Sequence, residues 1–111
     1  FGSGVFVSKY PLRANLYFTP LPVEGVPAQV VFTASKRKFK RAVDRNFIKR
    51  RLREVYRHHK LELYDALTVR GKTLAIALMY TGSELPDYQA LERSYKVLQQ
   101  KIFDVLEKSA S

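Results

Sequence analysis

The sequence predicts an α+β domain, a two-layer sandwich in which helices pack on one small β-sheet. Short runs of β-branched and aromatic residues predict the strands, and longer segments with apolar residues every three or four positions predict the helices. At 111 residues the chain can bury a single modest core. We therefore expect residues 1–111 to form one domain.

Three segments are predicted strands. Tyr10–Thr19 is extended, and Pro11 places it at a sheet edge or a strand start. After a loop rich in Pro and Gly, Gln29–Ser35 is dominated by residues that favour strands. Leu74–Tyr80 is an almost continuous apolar run, which is typical of a buried central strand.

Two segments are predicted helices, Ala42–His59 and about Asp87–Lys108, each with one apolar stripe. The first helix follows the second or third strand. Its stripe comprises Ile48, Leu52, Val55, Tyr56 and His59, and that of the second comprises Leu91, Tyr95, Leu98, Ile102 and Val105.

Composition excludes several classes of protein. The chain has no Cys, which rules out disulfides and thiolate zinc sites and fits the cytoplasmic location that we expect. No apolar run approaches the ~20 residues of a membrane span, so we expect no membrane partner. The chain opens Phe1-Gly2-Ser3-Gly4, with neither a signal peptide nor an initiator Met, so we expect residues upstream to be missing.

The positive charge of the chain is concentrated in one segment. Of 20 Lys and Arg, 12 lie between Lys36 and Lys60, opposed there by Asp44 and Glu54 alone. Elsewhere the charges cancel, so the whole net charge of +10 belongs to this segment. A localised excess of this kind is typical of a surface that binds a polyanion.

On a helical projection, one polar residue and four of the cations of Ala42–His59 fall on one face, opposite the apolar stripe. This face comprises Asn46, Lys49, Arg50, Arg53 and Arg57, and the candidate RNA-binding set also includes Lys36, Arg37, Lys38, Lys40, Arg41 and Arg45. A solvated charged face is the alternative, but such faces alternate in sign, whereas this one places like charges four residues apart. Charge alone does not separate RNA from DNA.

The segment 35–57 closely resembles the signature of the bacterial ribonuclease P protein subunit. The matching pairs, at the same spacing, are Ala42-Val43, Arg45-Asn46, Lys49-Arg50 and Arg53-Glu54. The order of the elements also fits that family.

Three departures from the family pattern stand out. Phe47 replaces the second Arg of the family's Arg-Asn-Arg motif, and we expect it to pack locally rather than stack on a base. Phe39-Lys40-Arg41 stands where many members have Gly-Asn, which leaves the local turn open. Phe1 and Gly4 are similar to the end of the family's amino-terminal helix, most of which we expect to be missing.

The resemblance implies a subunit of the endoribonuclease that removes the 5′ leader of precursor tRNA, with the catalytic groups in the RNA subunit. The implied partners are that catalytic RNA and precursor tRNA, not DNA. It also implies no cofactor on the protein, with Mg²⁺ bound through the RNA. The resemblance further implies a cleft for the single-stranded leader.

Single-strand clefts use aromatic faces on which bases stack, and the candidates here are Tyr17, Phe18 and Phe32. Tyr17 and Phe18 are adjacent and point to opposite faces of a strand, so we choose Tyr17. Packing in the core is the alternative for all three.

No protein active site and no metal site is predicted. The acidic residues are scattered, and Asp44 and Glu54 lie among cations with which they can pair. His58 and His59 diverge by 100° on a helix and make poor joint ligands.

The main alternative is a structural ribosomal protein, which is also small and basic, or another basic RNA-binding protein with no role in tRNA processing; a DNA-binding regulator is a third possibility. The regulator lacks the second helix of a helix-turn-helix unit.

Overall fold

The computed structural model describes residues 4–19 and 25–109, and within them the fold is α+β, with one four-stranded sheet and two helices. The elements in chain order are β1 (Val5–Lys9), β2 (Leu12–Phe18), β3 (Ala28–Ala34), α1 (Ala42–Val69), β4 (Leu74–Tyr80) and α2 (Tyr88–Ser109). The predicted fold class is confirmed, and α1 follows the third strand. The expectation for Phe1 and an amino-terminal helix falls on residues 1–3, outside the described part of the chain.

The sheet has the strand order β1-β2-β4-β3. β2 is antiparallel to both β1 and β4, whereas β3 runs parallel to β4. β4 is thus a central strand, as its apolar sequence predicts. β3 lies at the edge of the sheet, next to α1.

The two faces of the sheet differ because only one is covered by the helices. Along β4, Leu74 and Leu78 are buried in the core beneath α1 and α2, while Ala77 and Met79 point to the other side. Strand alternation and register place the following side chains on that second side, called here the open face: Phe6, Arg13, Asn15, Tyr17, Val31, Thr33, Ala75, Ala77 and Met79.

β1 was missed by the sequence prediction, which began the first strand at Tyr10. Only Val7 of its five residues is buried, so β1 lacks the regular alternation that marks a strand. The Tyr10-Pro11 pair lies in the turn between β1 and β2 instead of within a strand.

α1 continues ten residues beyond the predicted end at His59. Leu63 and Leu67 extend its apolar stripe and are fully buried. The helix ends in a Schellman motif, in which Gly71 has φ of +63° and the Lys72 N–H donates to Leu67 O at 3.0 Å.

α2 has nearly the predicted bounds, with one change in its stripe. The stripe ends at Leu106, which is fully buried, whereas Val105, the residue predicted there, is half-buried. No helix among the described residues is long and apolar enough to span a membrane.

Two leucines of α1 give a matched test of this packing. We expect Leu63→Ala to lower the free energy of unfolding by about 2–5 kcal/mol, because Leu63 is fully buried and its removal leaves a cavity. Leu61→Ala, at a side chain 69% exposed, should change it by less than about 0.5 kcal/mol. Urea unfolding followed by circular dichroism measures both; equal losses would contradict the position of α1.

Candidate nucleic-acid interface

α1 holds the predicted cations on the side of the helix that faces solvent. Ile48, Leu52 and Val55 are at most 1% exposed and fix the helix against the sheet and α2. On the opposite side the predicted face is exposed at Asn46, Arg50, Arg53 and Arg57, and half-exposed at Lys49. The rigid packing of one side therefore makes the other a fixed array of positive charge.

The loop between β3 and α1 extends this array. Its five predicted cations, Lys36, Arg37, Lys38, Lys40 and Arg41, are all exposed. We call these residues and the cationic side of α1 the basic surface.

Phe39 anchors this loop. Its burial explains how the loop turns at Phe39-Lys40-Arg41, where many family members have Gly-Asn. Its side chain is 6% exposed and packs on Tyr80, with ring centroids 6.1 Å apart. Its N–H donates to Ser35 O at 3.0 Å. The buried Phe39 ring thus fixes the turn of the loop, while Lys38 and Lys40 on either side remain exposed to solvent.

Two of the predicted RNA-binding cations donate hydrogen bonds within the protein. The Arg45 guanidinium donates to Phe39 O at 2.8 Å and to Lys40 O at 2.9 Å, which ties the loop to the first turn of α1. The Lys38 ammonium donates to Thr81 O. Arg45 keeps further N–H groups for a phosphate, because these two bonds use Nη1 alone.

Phe47 packs locally, as expected. Its half-buried ring lies against the core, and the Arg51 guanidinium stacks 5.0 Å from its centroid. The residue that replaces the family's usual Arg therefore organises a neighbouring cation.

Carboxylates leave the basic surface largely unneutralised. Arg51 pairs with Glu54 at 3.8 Å, and the Glu92 carboxylate is hydrogen-bonded to His59 at 2.9 Å. Like charges at Lys49, Arg53 and Arg57 repel along the helix, each neighbouring pair costing about 0.2–0.5 kcal/mol. A bound polyanion would remove this cost.

The two adjacent histidines have separate partners. His58 Nδ1 is 2.7 Å from the Tyr88 hydroxyl, and His59, half-buried as expected, is hydrogen-bonded to Glu92. This hydrogen bond from His59 lowers the pKa of Glu92. Within the described residues, no three acidic or histidine side chains come together as metal ligands.

The three aromatic residues predicted to line a cleft do not share one surface. Tyr17 lies on the open face. Phe18 and Phe32 lie on the helix-covered side, where Phe18 is near Lys72 and Phe32 packs edge-to-face on Tyr56 at 5.8 Å. Alternation along the strands separates them, so the three cannot form a single cleft.

The open face contains two adjacent concavities, of about 450 and 370 Å³. Tyr17 lines the first, and its ring lies on the backbone of Gly4, where a Cβ atom would come within 2.6 Å of the ring. In the second, the Arg13 guanidinium stacks 4.5 Å from the Phe6 centroid, and Asn15 Oδ1 is buried without a hydrogen-bond partner.

Sequence reasoning did not find Phe6, Arg13 or Asn15. The alternation in β2, buried at Leu12, Ala14 and Leu16, could have placed Arg13 and Asn15 beside Tyr17. Phe6 could not be placed, because β1 was not recognised.

Comparison with known proteins settles the family. The model of the family described as Ribonuclease P matches residues 6–103. The chain belongs to the ribonuclease P protein family. It is 37% identical over 94 residues to the ribonuclease P protein component of Porphyromonas gingivalis, an alignment that covers 85% of this chain and 68% of that protein. The corresponding protein of Chlorobium phaeobacteroides is 33% identical over 81 residues, covering 67% of this chain and 56% of the relative.

Two solved structures show the same fold. The RNase P protein of Staphylococcus aureus superimposes with a TM-score of 0.68 at 18% identity, covering 89% of this chain and 81% of that one. The Thermotoga maritima RNase P protein, in complex with 1-(4-fluorophenyl)-2-thiourea, superimposes with a TM-score of 0.61 at 16% sequence identity. This superposition covers 86% of this chain and 83% of that one. The family assignment favours the ribonuclease P interpretation over the ribosomal protein and the DNA-binding regulator.

The role of the basic surface in RNA binding can be tested through salt dependence. We expect Arg53→Ala to weaken binding to ribonuclease P RNA and to reduce the slope of log K against log salt by about one, because one phosphate contact is lost. Arg93→Ala, an exposed cation of α2 outside the basic surface, is the matched control and should leave the slope unchanged. Filter binding across a salt series measures both. An unaltered slope in Arg53→Ala would remove that residue from the interface.

Proposed function

We propose that this chain is the protein subunit of ribonuclease P, which binds the catalytic RNA and helps to remove the 5′ leader from precursor tRNA. The observation that carries the proposal is the unneutralised basic surface, held rigidly on α1 in a member of this family. Its partners would be the catalytic RNA subunit and precursor tRNA. We also propose that the chain binds RNA and not DNA, and that it acts in the cytoplasm.

The geometry of the basic surface suits a folded RNA. The Arg-rich face offers planar guanidinium groups, which bind phosphates through paired hydrogen bonds and also stack on exposed bases. The loop cations lie beyond the amino-terminal end of the same helix, so phosphates from more than one strand of a folded RNA can be contacted together.

The open face suits a single strand, and we propose that it holds the leader. Tyr17 offers a ring for stacking, and the Arg13–Phe6 pair combines an aromatic face with a cation. The unpartnered Asn15 oxygen could accept a hydrogen bond from a base. Of the three aromatic residues predicted from the sequence, we retain Tyr17 alone for this role.

The chemistry would belong to the RNA. In the proposed enzyme the protein neutralises part of the repulsion between two polyanions, the catalytic RNA and precursor tRNA. Mg²⁺ does the same, and we propose that it binds through the RNA. The protein should therefore matter most when Mg²⁺ is scarce.

A cleavage assay at low Mg²⁺ tests the proposal. Adding the protein to bacterial ribonuclease P RNA should increase the rate of leader removal from precursor tRNA, because its charge replaces missing cations. The stimulation should diminish as Mg²⁺ is raised. A chain that folds and yet gives no stimulation at any Mg²⁺ concentration would contradict the proposed function.

The leader cleft has a separate test. Tyr17→Ala should weaken binding of precursor tRNA to the assembled enzyme by about 1–3 kcal/mol if one stacked base is lost. Binding of mature tRNA, which has no leader, should not change. Tyr17→Phe keeps the ring and is the control. Equal weakening for both RNAs would assign Tyr17 to structural packing.

A further inference from the structure

A groove separate from the open face runs between the edge strand β3 and α1. It is about 470 Å³ in volume, and its β3 wall is formed by five consecutive residues, 28–32. Because consecutive side chains of a strand point to opposite faces, such a wall must follow the edge of the strand. Its α1 wall comprises Arg53, Tyr56, Arg57, Lys60 and Tyr64. We call this concavity the strand-edge groove.

The helix wall combines cations with aromatic rings. Arg53, Arg57, Lys60 and Tyr64 are spaced so that they lie along one side of α1. The Arg53 guanidinium is 5.5 Å from the centroid of Phe32, and Lys60 Nζ is 5.9 Å from that of Tyr64. Within residues 4–19 and 25–109, no carboxylate lines the groove, which favours an anionic occupant.

The wall of the groove also contains a buried hydroxyl group. Tyr56 is 9% exposed, and its hydroxyl makes no hydrogen bond of ordinary geometry, with Tyr64 as its polar neighbour. Burial also raises the pKa of Tyr56, which keeps the hydroxyl protonated and able to donate.

The groove adjoins both surfaces already described. Arg53 and Arg57 belong to the basic surface, and Val31 lines both this groove and the Tyr17 concavity of the open face. An RNA strand that leaves the basic surface could cross the edge of β3 here.

We propose that the strand-edge groove binds an unpaired nucleotide of RNA, with its base against Tyr64 and Phe32 and its phosphates on Arg53, Arg57 and Lys60. The Tyr56 hydroxyl hydrogen-bonds the edge of the base. Charge complementarity and the aromatic rings favour a nucleotide over a peptide strand added to the β3 edge. This proposal deepens the proposed function and rests on it for the identity of the RNA partner.

Binding of an oligouridylate hexamer, measured by fluorescence anisotropy, tests the groove. The Tyr17→Ala chain is the background, which removes stacking on the open face. In it, Tyr64→Ala should weaken binding by about 5- to 150-fold, as expected for one stacked base, and Tyr64→Phe should retain affinity within about twofold. Equal affinity of the Tyr64→Ala chain and its background would overturn the proposal.

A second measurement needs no substitution. A hexamer with a central 4-thiouridine, irradiated on the intact chain, should crosslink to residues 28–32 or 53–64. Crosslinks confined to β2 or to residues 36–50 would overturn the proposal. A hexaglutamate peptide that binds with the same affinity and the same dependence on Tyr64 would do so too, because it would assign the groove to an acidic protein segment.

The two proposals fail separately. If the chain stimulates cleavage at low Mg²⁺ but its hexamer binding does not depend on Tyr64, only the groove is refuted. If hexamer binding depends on Tyr64 but cleavage is not stimulated, the proposed function fails while the nucleotide site stands.

Discussion

Burial of the apolar stripe of α1 is the interaction on which the other features depend. Ile48, Leu52, Val55, Leu63 and Leu67 are almost fully buried along nearly the whole helix. Each fully buried aliphatic side chain contributes about 1.5–3 kcal/mol, which exceeds the repulsion between neighbouring cations on the opposite side. The helix can therefore carry an unneutralised charge without losing its position.

The same packing determines where an RNA could lie. With both helices on one side of the sheet, the other side is not covered by a helix, and its aromatic and polar side chains line the two concavities. β3 lies at the sheet edge, next to α1, which leaves a groove between strand and helix. Around this edge of the sheet, the basic surface is thus followed by the strand-edge groove and then by the open face.

Local anchors preserve the arrangement where the chain leaves regular structure. Phe39 and Arg45 hold the loop that presents the first cations, and the Schellman motif at Gly71 returns the chain to β4. At the junction of the helices, buried Gln99 donates to His59 O at 3.2 Å and accepts from the Tyr95 hydroxyl at 2.7 Å. These contacts join α2 to the middle of α1.

Local sequence patterns were enough to predict the fold class, β4, the start of α1 and the division of that helix into an apolar and a cationic side. These are local properties, because a buried strand and an amphipathic helix can each be recognised from the pattern of residues within one short segment. The motif spanning residues 35–57 likewise indicated the family. Only the tertiary structure showed that Phe32 lies on the opposite side of the sheet from Tyr17, that β1 pairs with β2, and that Phe32 contacts Arg53 and Tyr56. Those relations depend on the order and register of the strands. Strand pairing brings together residues that are distant in sequence, and no local sequence pattern predicts which strands pair.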